Sequence, residues 1–123
     1  MAWRYSQSTG DLINNDGEVI ATGYSGAPGF RNLSMMQDVK DKGPIPRGIY
    51  TIGDPVDTVT HGPFVLPLIP DATNVMFNRD SFMLHGERLE GPSGLASKGC
   101  PVFSRHIREK VWQSDDHQLE VII

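Results

Sequence analysis

The chain is poor in the features that settle function cheaply. It has one cysteine, Cys100, among 123 residues, so an internal disulfide is impossible and a disulfide-stapled scaffold is excluded. Its apolar runs last only a few residues, as in Val121-Ile122-Ile123, so no segment is fit to span a bilayer. The first residues, Met1-Ala2-Trp3-Arg4-Tyr5, lack the apolar stretch of a secretory leader, and the expectation is a chain made in the cytoplasm without one. Basic residues are scattered and outnumbered, 11 against 15 acidic, for a net charge of −4. That balance argues against a nucleic-acid surface, which must neutralise phosphates.

What is present is glycine and proline, 13 and 9 residues, enough to predict many turns, short strands and few helices. With 38% hydrophobic residues and this length, one folded domain over 1–123 is expected. The first fifty residues read as a β-meander, in which Trp3-Arg4-Tyr5-Ser6 alternates as a half-buried strand does. Leu12-Ile13 and Val19-Ile20-Ala21 flank Asn14-Asn15-Asp16-Gly17, a hairpin signal because Asp-Gly tolerates positive φ. A short helix is expected within Asn32–Lys40, with Met35 and Met36 as core filler. Further strands are expected at Ile49–Ile52, at Phe64–Ile69 (an edge or bulge because of Pro67), at Met76–Arg79 and at Ser81–Leu84. Ser104 is a fit N-cap for a helix through Trp112, since Phe103, Ile107 and Val111 recur on one face. Leu119–Ile123 reads as a final strand.

The chemistry-bearing stretch is Phe82-Met83-Leu84-His85-Gly86 followed by Ser97-Lys98-Gly99-Cys100. A thiol attacks as its thiolate, and a neighbouring imidazole can take the proton and later return it to a leaving group. Gly99 lets the backbone approach a substrate carbonyl, and the Gly99 and Cys100 amides are candidate oxyanion donors. Pro101 has no N–H to offer. Taken singly, a lone cysteine is most often a small buried hydrophobe. His61, His106 and His117 show no metal-ligand spacing, so no metal and no cofactor is expected.

The flanking residues shift those odds. His85-Gly86 with Ser97-Lys98-Gly99-Cys100 resembles the His…Ser-x-Gly-Cys signature of YkuD-like L,D-transpeptidases. Gly43-Pro44-Ile45-Pro46-Arg47-Gly48-Ile49-Tyr50, Trp3-x-Tyr5-x-Gln7-Ser8-Thr9-Gly10, Gly23-Tyr24-Ser25-Gly26 and Arg31-Asn32 resemble segments of their small relatives, the type VI secretion L,D-transpeptidase-like effectors. The resemblance implies a mainly β fold, a compact YkuD-like sandwich or barrel with one or two short helices. It implies Cys100 as nucleophile on the bond between meso-diaminopimelate and D-alanine of a peptidoglycan tetrapeptide stem, and His85 as base, oriented by the Gly86 carbonyl. Ser97 and Lys98 would support the nucleophile loop, with the Gly99 and Cys100 amides at the oxyanion. Arg79, Arg88 and Arg105 are candidates for binding stem carboxylates, because guanidinium pairs bidentately with carboxylate.

As partners the resemblance implies the stems, free D-amino acids for exchange, a cognate immunity protein and a secretion-system loading component, with delivery into the periplasm of a target bacterium. Lys98 stands where the larger family usually has histidine, and Pro101 where relatives place Ile or Val. Two other readings stay open. One is a catalytically weak peptidoglycan-binding module of the same fold. The other is a papain-like endopeptidase, disfavoured because His85 precedes Cys100.

Overall fold

The computed structural model describes residues 2–88 and 94–123. Eight strands are found in these residues: β1 (Trp3–Ser6), β2 (Asp11–Ile13), β3 (Val19–Thr22), β4 (Gly48–Ile52), β5 (Val56–Thr58), β6 (Gly62–Pro70), β7 (Met83–Leu84) and β8 (Gln118–Ile122). One α-helix, α1 (Arg105–Gln113), and one 3-10 turn, Ser34–Met36, complete the described elements. The protein is mainly β.

The strands form one sheet in the order β3-β2-β1-β8-β4-β6-β5, with β7 on β6. The first three make an antiparallel meander that ends at Thr22 instead of running through the first fifty residues, and Gly17 takes φ +81 at the expected Asp-Gly turn. β8 is not peripheral. It lies parallel to β1 and antiparallel to β4, so the end of the chain forms the middle of the sheet.

Register explains the core. Trp3 and Tyr5 face Leu119 and Val121 across β1 and β8, and Tyr50 of β4 faces Leu119 from the other side. All five side chains are buried on this shared face. The helix packs against β6 and places Val111 in the core, with Phe103 just ahead of it. Phe103 meets the Tyr5 ring edge-on at 5.9 Å, a pairing that adds about 1 kcal/mol beyond burial. Ser104 caps the helix by accepting from the Ile107 N–H, as the sequence predicts.

The sheet is open by strand pairing, so the expected sandwich or barrel is not formed by strands alone. Instead, single-residue bridges join Val102 to Tyr24, just beyond β3, and to His85, just beyond β7. The Val102 N–H donates to Tyr24 O (2.9 Å), and the Phe103 N–H donates to His85 O (3.0 Å). The segment after Cys100 is thereby stitched between the ends of two strands.

Other expectations fail for local reasons. Met76–Arg79 is a turn, not a strand, because Phe77 and Asn78 both take left-handed φ, 56° and 59°. The helix in Asn32–Lys40 shrinks to the 3-10 turn, and Met35 points into solvent at 79% exposure. β6 is interior, not an edge. Its first half pairs β5 with a register shift, so the bulge alternative holds upstream of Pro67; its last three residues pair β4, and Pro67 itself pairs Met83 of β7.

Candidate active site

His85 directly follows β7, and its side chain is 2% exposed. Its Nδ1 lies 2.9 Å from Gly86 O. A protonated Nδ1 donates to that carbonyl and leaves Nε2 as the free acceptor, the tautomer a general base requires. Burial is the main force holding its pKa below the ordinary histidine value. The Gly86 contact opposes that shift, while His61 and Arg108 reinforce it. His85 is therefore a neutral imidazole at neutral pH.

That depression makes stability pH-dependent in a defined direction. The unfolded chain takes up a proton on this histidine near its ordinary value of 6.5, and the folded chain resists doing so. Stability is then lost as pH falls below that value toward the lower folded pKa. Melting temperature is expected to drop between about pH 7 and pH 5, and the drop should be smaller in His85→Gln. Equal slopes in thermal melts of the two proteins would contradict this account.

Cys100 is partly exposed, and its Sγ donates to Ser81 O at 3.8 Å. Desolvation is the largest influence on the thiol and pushes its pKa up to about 11, against a backbone N–H from Met83 and the charge of Arg79. The resting thiol is protonated. Among the described residues no hydrogen bond joins it to the His85 imidazole; the two groups line neighbouring cavities. A cavity of about 600 Å³ holds His85 with Arg88 and Arg105, and one of about 210 Å³ holds Cys100. His61, on the turn between β5 and β6, lines both. Its ring centroid is 4.6 Å from that of His85. Composition and spacing gave no reason to single out His61, which enters the site only through the β5–β6 pairing.

Ser97 holds together the loop that carries Cys100. Its buried Oγ donates to Cys100 O (2.6 Å) and accepts from the N–H groups of Gly26 (2.9 Å) and Gly99 (3.0 Å). The Gly99 amide is thus occupied, which corrects its assignment as an oxyanion donor. Among the described residues the Cys100 N–H has no acceptor, so it remains the available donor. Gly99 earns its place differently: it takes φ +139, and a Cβ there would collide with the Arg79 guanidinium and sit 3.0 Å from Gly43 O. Ser25 completes the loop support, donating from Oγ to Gly99 O (2.5 Å) and accepting from the Ile45 N–H. Lys98 points its side chain to solvent, and its contribution is its carbonyl.

The three arginines part company. Arg88 is exposed and Arg105 is half-engaged in an exposed ion pair with Glu109; both line the His85 cavity and can meet a carboxylate. Arg79 cannot. It is 5% exposed and its guanidinium is spent on backbone carbonyls, so its assignment to substrate is corrected. Arg108, which the sequence reading missed, is also buried and donates to Phe64 O, Pro63 O and Phe103 O, tying α1 to β6 beneath His85. Its position on the inward face with Ile107 and Val111 was the signal available. Among the described residues, no group of three or more histidine, cysteine, aspartate or glutamate side chains converges as metal ligands do.

A single open sheet whose seam is bridged by a Cys-bearing loop, next to a buried, tautomer-fixed histidine, defines a small β-protein with the parts of a thiol–imidazole site. The chain belongs to the Tlde1 domain family, whose profile matches residues 19–122. No curated protein and no solved structure shows a significant match to it.

Proposed function

We propose that the protein is a cysteine L,D-carboxypeptidase or L,D-transpeptidase of YkuD-like fold that trims or exchanges the terminal D-alanine of peptidoglycan tetrapeptide stems. The observation that carries this reading is His85, whose imidazole is fixed through Nδ1 by Gly86 O and whose backbone N–H and C=O are hydrogen-bonded to Pro101 O and the Phe103 N–H, immediately after Cys100. Membership of the Tlde1 domain family, a type VI effector domain, supports the further reading of an antibacterial effector.

The chemistry runs in two halves. Cys100 Sγ attacks the carbonyl carbon of the diaminopimelate–D-alanine amide as its proton passes to His85 Nε2. The tetrahedral oxyanion forms beside the Cys100 N–H. Collapse breaks the C–N bond, and His85 returns the proton to the departing D-alanine amine. Water, deprotonated by His85, then attacks the thioester to release the tripeptide acid; a D-amino acid amine attacking instead forms the exchanged stem. Because the resting thiol is protonated and bonded to Ser81 O, substrate binding must rotate it toward the imidazole. Arg88 and Arg105 are placed to receive stem carboxylates.

Incubating the purified protein with tetrapeptide stems, with and without a second D-amino acid, tests the reading. Release of D-alanine, or its replacement, is the expected result. One observation favours the runner-up, a peptidoglycan-binding module with little turnover: the thiol is bonded away from His85. That reading predicts muropeptide binding with no product from the wild type.

As an effector, the protein would act in the periplasm of a recipient cell, and its producer would carry an immunity protein covering the cleft. Toxicity on periplasmic targeting, and none when the chain stays in the cytoplasm, is the outcome this role requires.

A further inference from the structure

Arg79 is held in an unusual way for a residue so close to an exposed site. Its Nη1 donates to Gln37 O (2.6 Å) and Pro44 O (2.8 Å), and its Nη2 to Gly43 O (2.9 Å) and Lys98 O (3.3 Å). The guanidinium also lies 5.1 Å from the Phe82 ring centroid. Four carbonyls from three loop stretches therefore converge on one buried cation that no carboxylate neutralises at salt-bridge distance; Arg105–Glu109 is the only side-chain ion pair among the described residues. Carbonyl dipoles solvate a cation without cancelling its charge. The side chain lines the same cavity as Cys100, and the space it fills is the space a Cβ on Gly99 would need.

We propose that Arg79 is the positioning residue of the nucleophile: it clamps the loop through Lys98 O and supplies the buried positive charge against which the Cys100 thiolate forms. This deepens the reading of Cys100 as nucleophile and rests on it for its catalytic meaning, while the electrostatic coupling itself does not. Lysine would keep the charge but lose the planar fork that reaches four acceptors. Glutamine would lose both. The other charged or titratable groups facing the Cys100 cavity are Lys40 and Asp41 from the loop before β4, His61 from the β5–β6 turn, Asp80 beside Arg79, and Lys98. Lys40, Asp41, His61, Asp80 and Lys98 are all exposed and so are partly screened by water and salt, whereas Arg79 is buried. The exposed Asp38 and Asp41 carboxylates and the buried Tyr50 hydroxyl also act on Arg79 through space. Desolvation raises the Cys100 thiol and the Arg79 charge opposes that rise, the direction the clamp requires.

Cys100 is the sole cysteine, so alkylation by iodoacetamide reads this thiol without any substrate. At about pH 8 the alkylation rate follows the thiolate fraction. Arg79→Gln is expected to slow it by about tenfold and to move the midpoint of its pH profile up by about one unit. Arg79→Lys is expected to leave the midpoint within about half a unit of wild type while lowering stem turnover.

Unchanged midpoints in both variants, with lowered melting temperatures, would overturn the proposal and leave Arg79 a structural clamp. Folding failure of the variants does not remove the test. In wild type the Arg79 guanidinium nitrogen resonances should shift with the Cys100 titration, and they should not in Cys100→Ser; resonances that ignore the thiol would overturn the proposal equally. If the alkylation profile moves as expected but no stem is processed, the coupling stands and the proposed reaction fails.

Discussion

Cys100→Ala is expected to reduce release or exchange of D-alanine by at least about ten-thousandfold, because the proposed intermediate is a thioester and Cys100 is the sole thiol in the sequence. His85→Ala should cost about a hundred- to ten-thousandfold, the usual range for removing a positioned general base. In the proposed mechanism the two act as a unit, the proton leaving the thiol only as the imidazole receives it. The double variant should therefore be no slower than Cys100→Ala alone. The dependence on His85 is sharpened by the resting electrostatics. A thiol raised to about 11 is almost wholly protonated at neutral pH, so the proposed mechanism cannot start from a standing thiolate and needs deprotonation during attack. A neutral His85, its Nδ1 committed to Gly86 O, is in the right state to do so. Multiplicative losses in the double variant would show that the two residues serve separate steps.

The second large effect is expected at Ser97, away from the reacting atoms. Its hydroxyl satisfies the Gly26 N–H, the Gly99 N–H and Cys100 O at once, the first two in buried hydrogen bonds and the third in a part-buried one. Ser97→Ala strips three backbone groups of their partner in a place water does not easily reach. Unsatisfied buried groups cost about 1–3 kcal/mol each, and partial relaxation brings the expected total to about 2–4 kcal/mol. Turnover should fall by about a hundredfold as well, since a displacement of about an ångström at a nucleophile is enough for that. Thermal melts and stem turnover measured on the same preparation separate the two consequences. A variant that melts like wild type would mean that Ser25 and Arg79 hold the loop without Ser97.

How much of this was legible beforehand depends on the range over which each feature is encoded. The β1–β2–β3 meander is local, written in alternation and in Asp16-Gly17, and it formed there but ended at Thr22. The Ser104-capped helix is likewise local. The placement of β8 between β1 and β4 is not, because parallel pairing with β1 brings together residues from opposite ends of the chain. His85, Gly86, Ser97 and Cys100 could be named because motif order carries them. Arg79 could be named but not understood: sequence displays a charge and hides whether it faces substrate or four carbonyls. The Gly99 amide failed as an oxyanion donor for a similar reason, since its partner Ser97 was visible but the hydrogen bond was not. His61 was invisible as a site residue, because it is delivered by a hairpin turn whose register only the folded sheet determines.

The claim that unites these observations is that Cys100 carries the stem as a covalent acyl group. Rapid quenching of a reaction with tetrapeptide stems, followed by intact-protein mass measurement and mapping of the adduct, tests it most directly. The wild type should gain the mass of the tripeptide acyl group on the peptide containing Cys100, with D-alanine released in step, and Cys100→Ala should show neither. Release of D-alanine by Cys100→Ala at the wild-type rate would contradict the account.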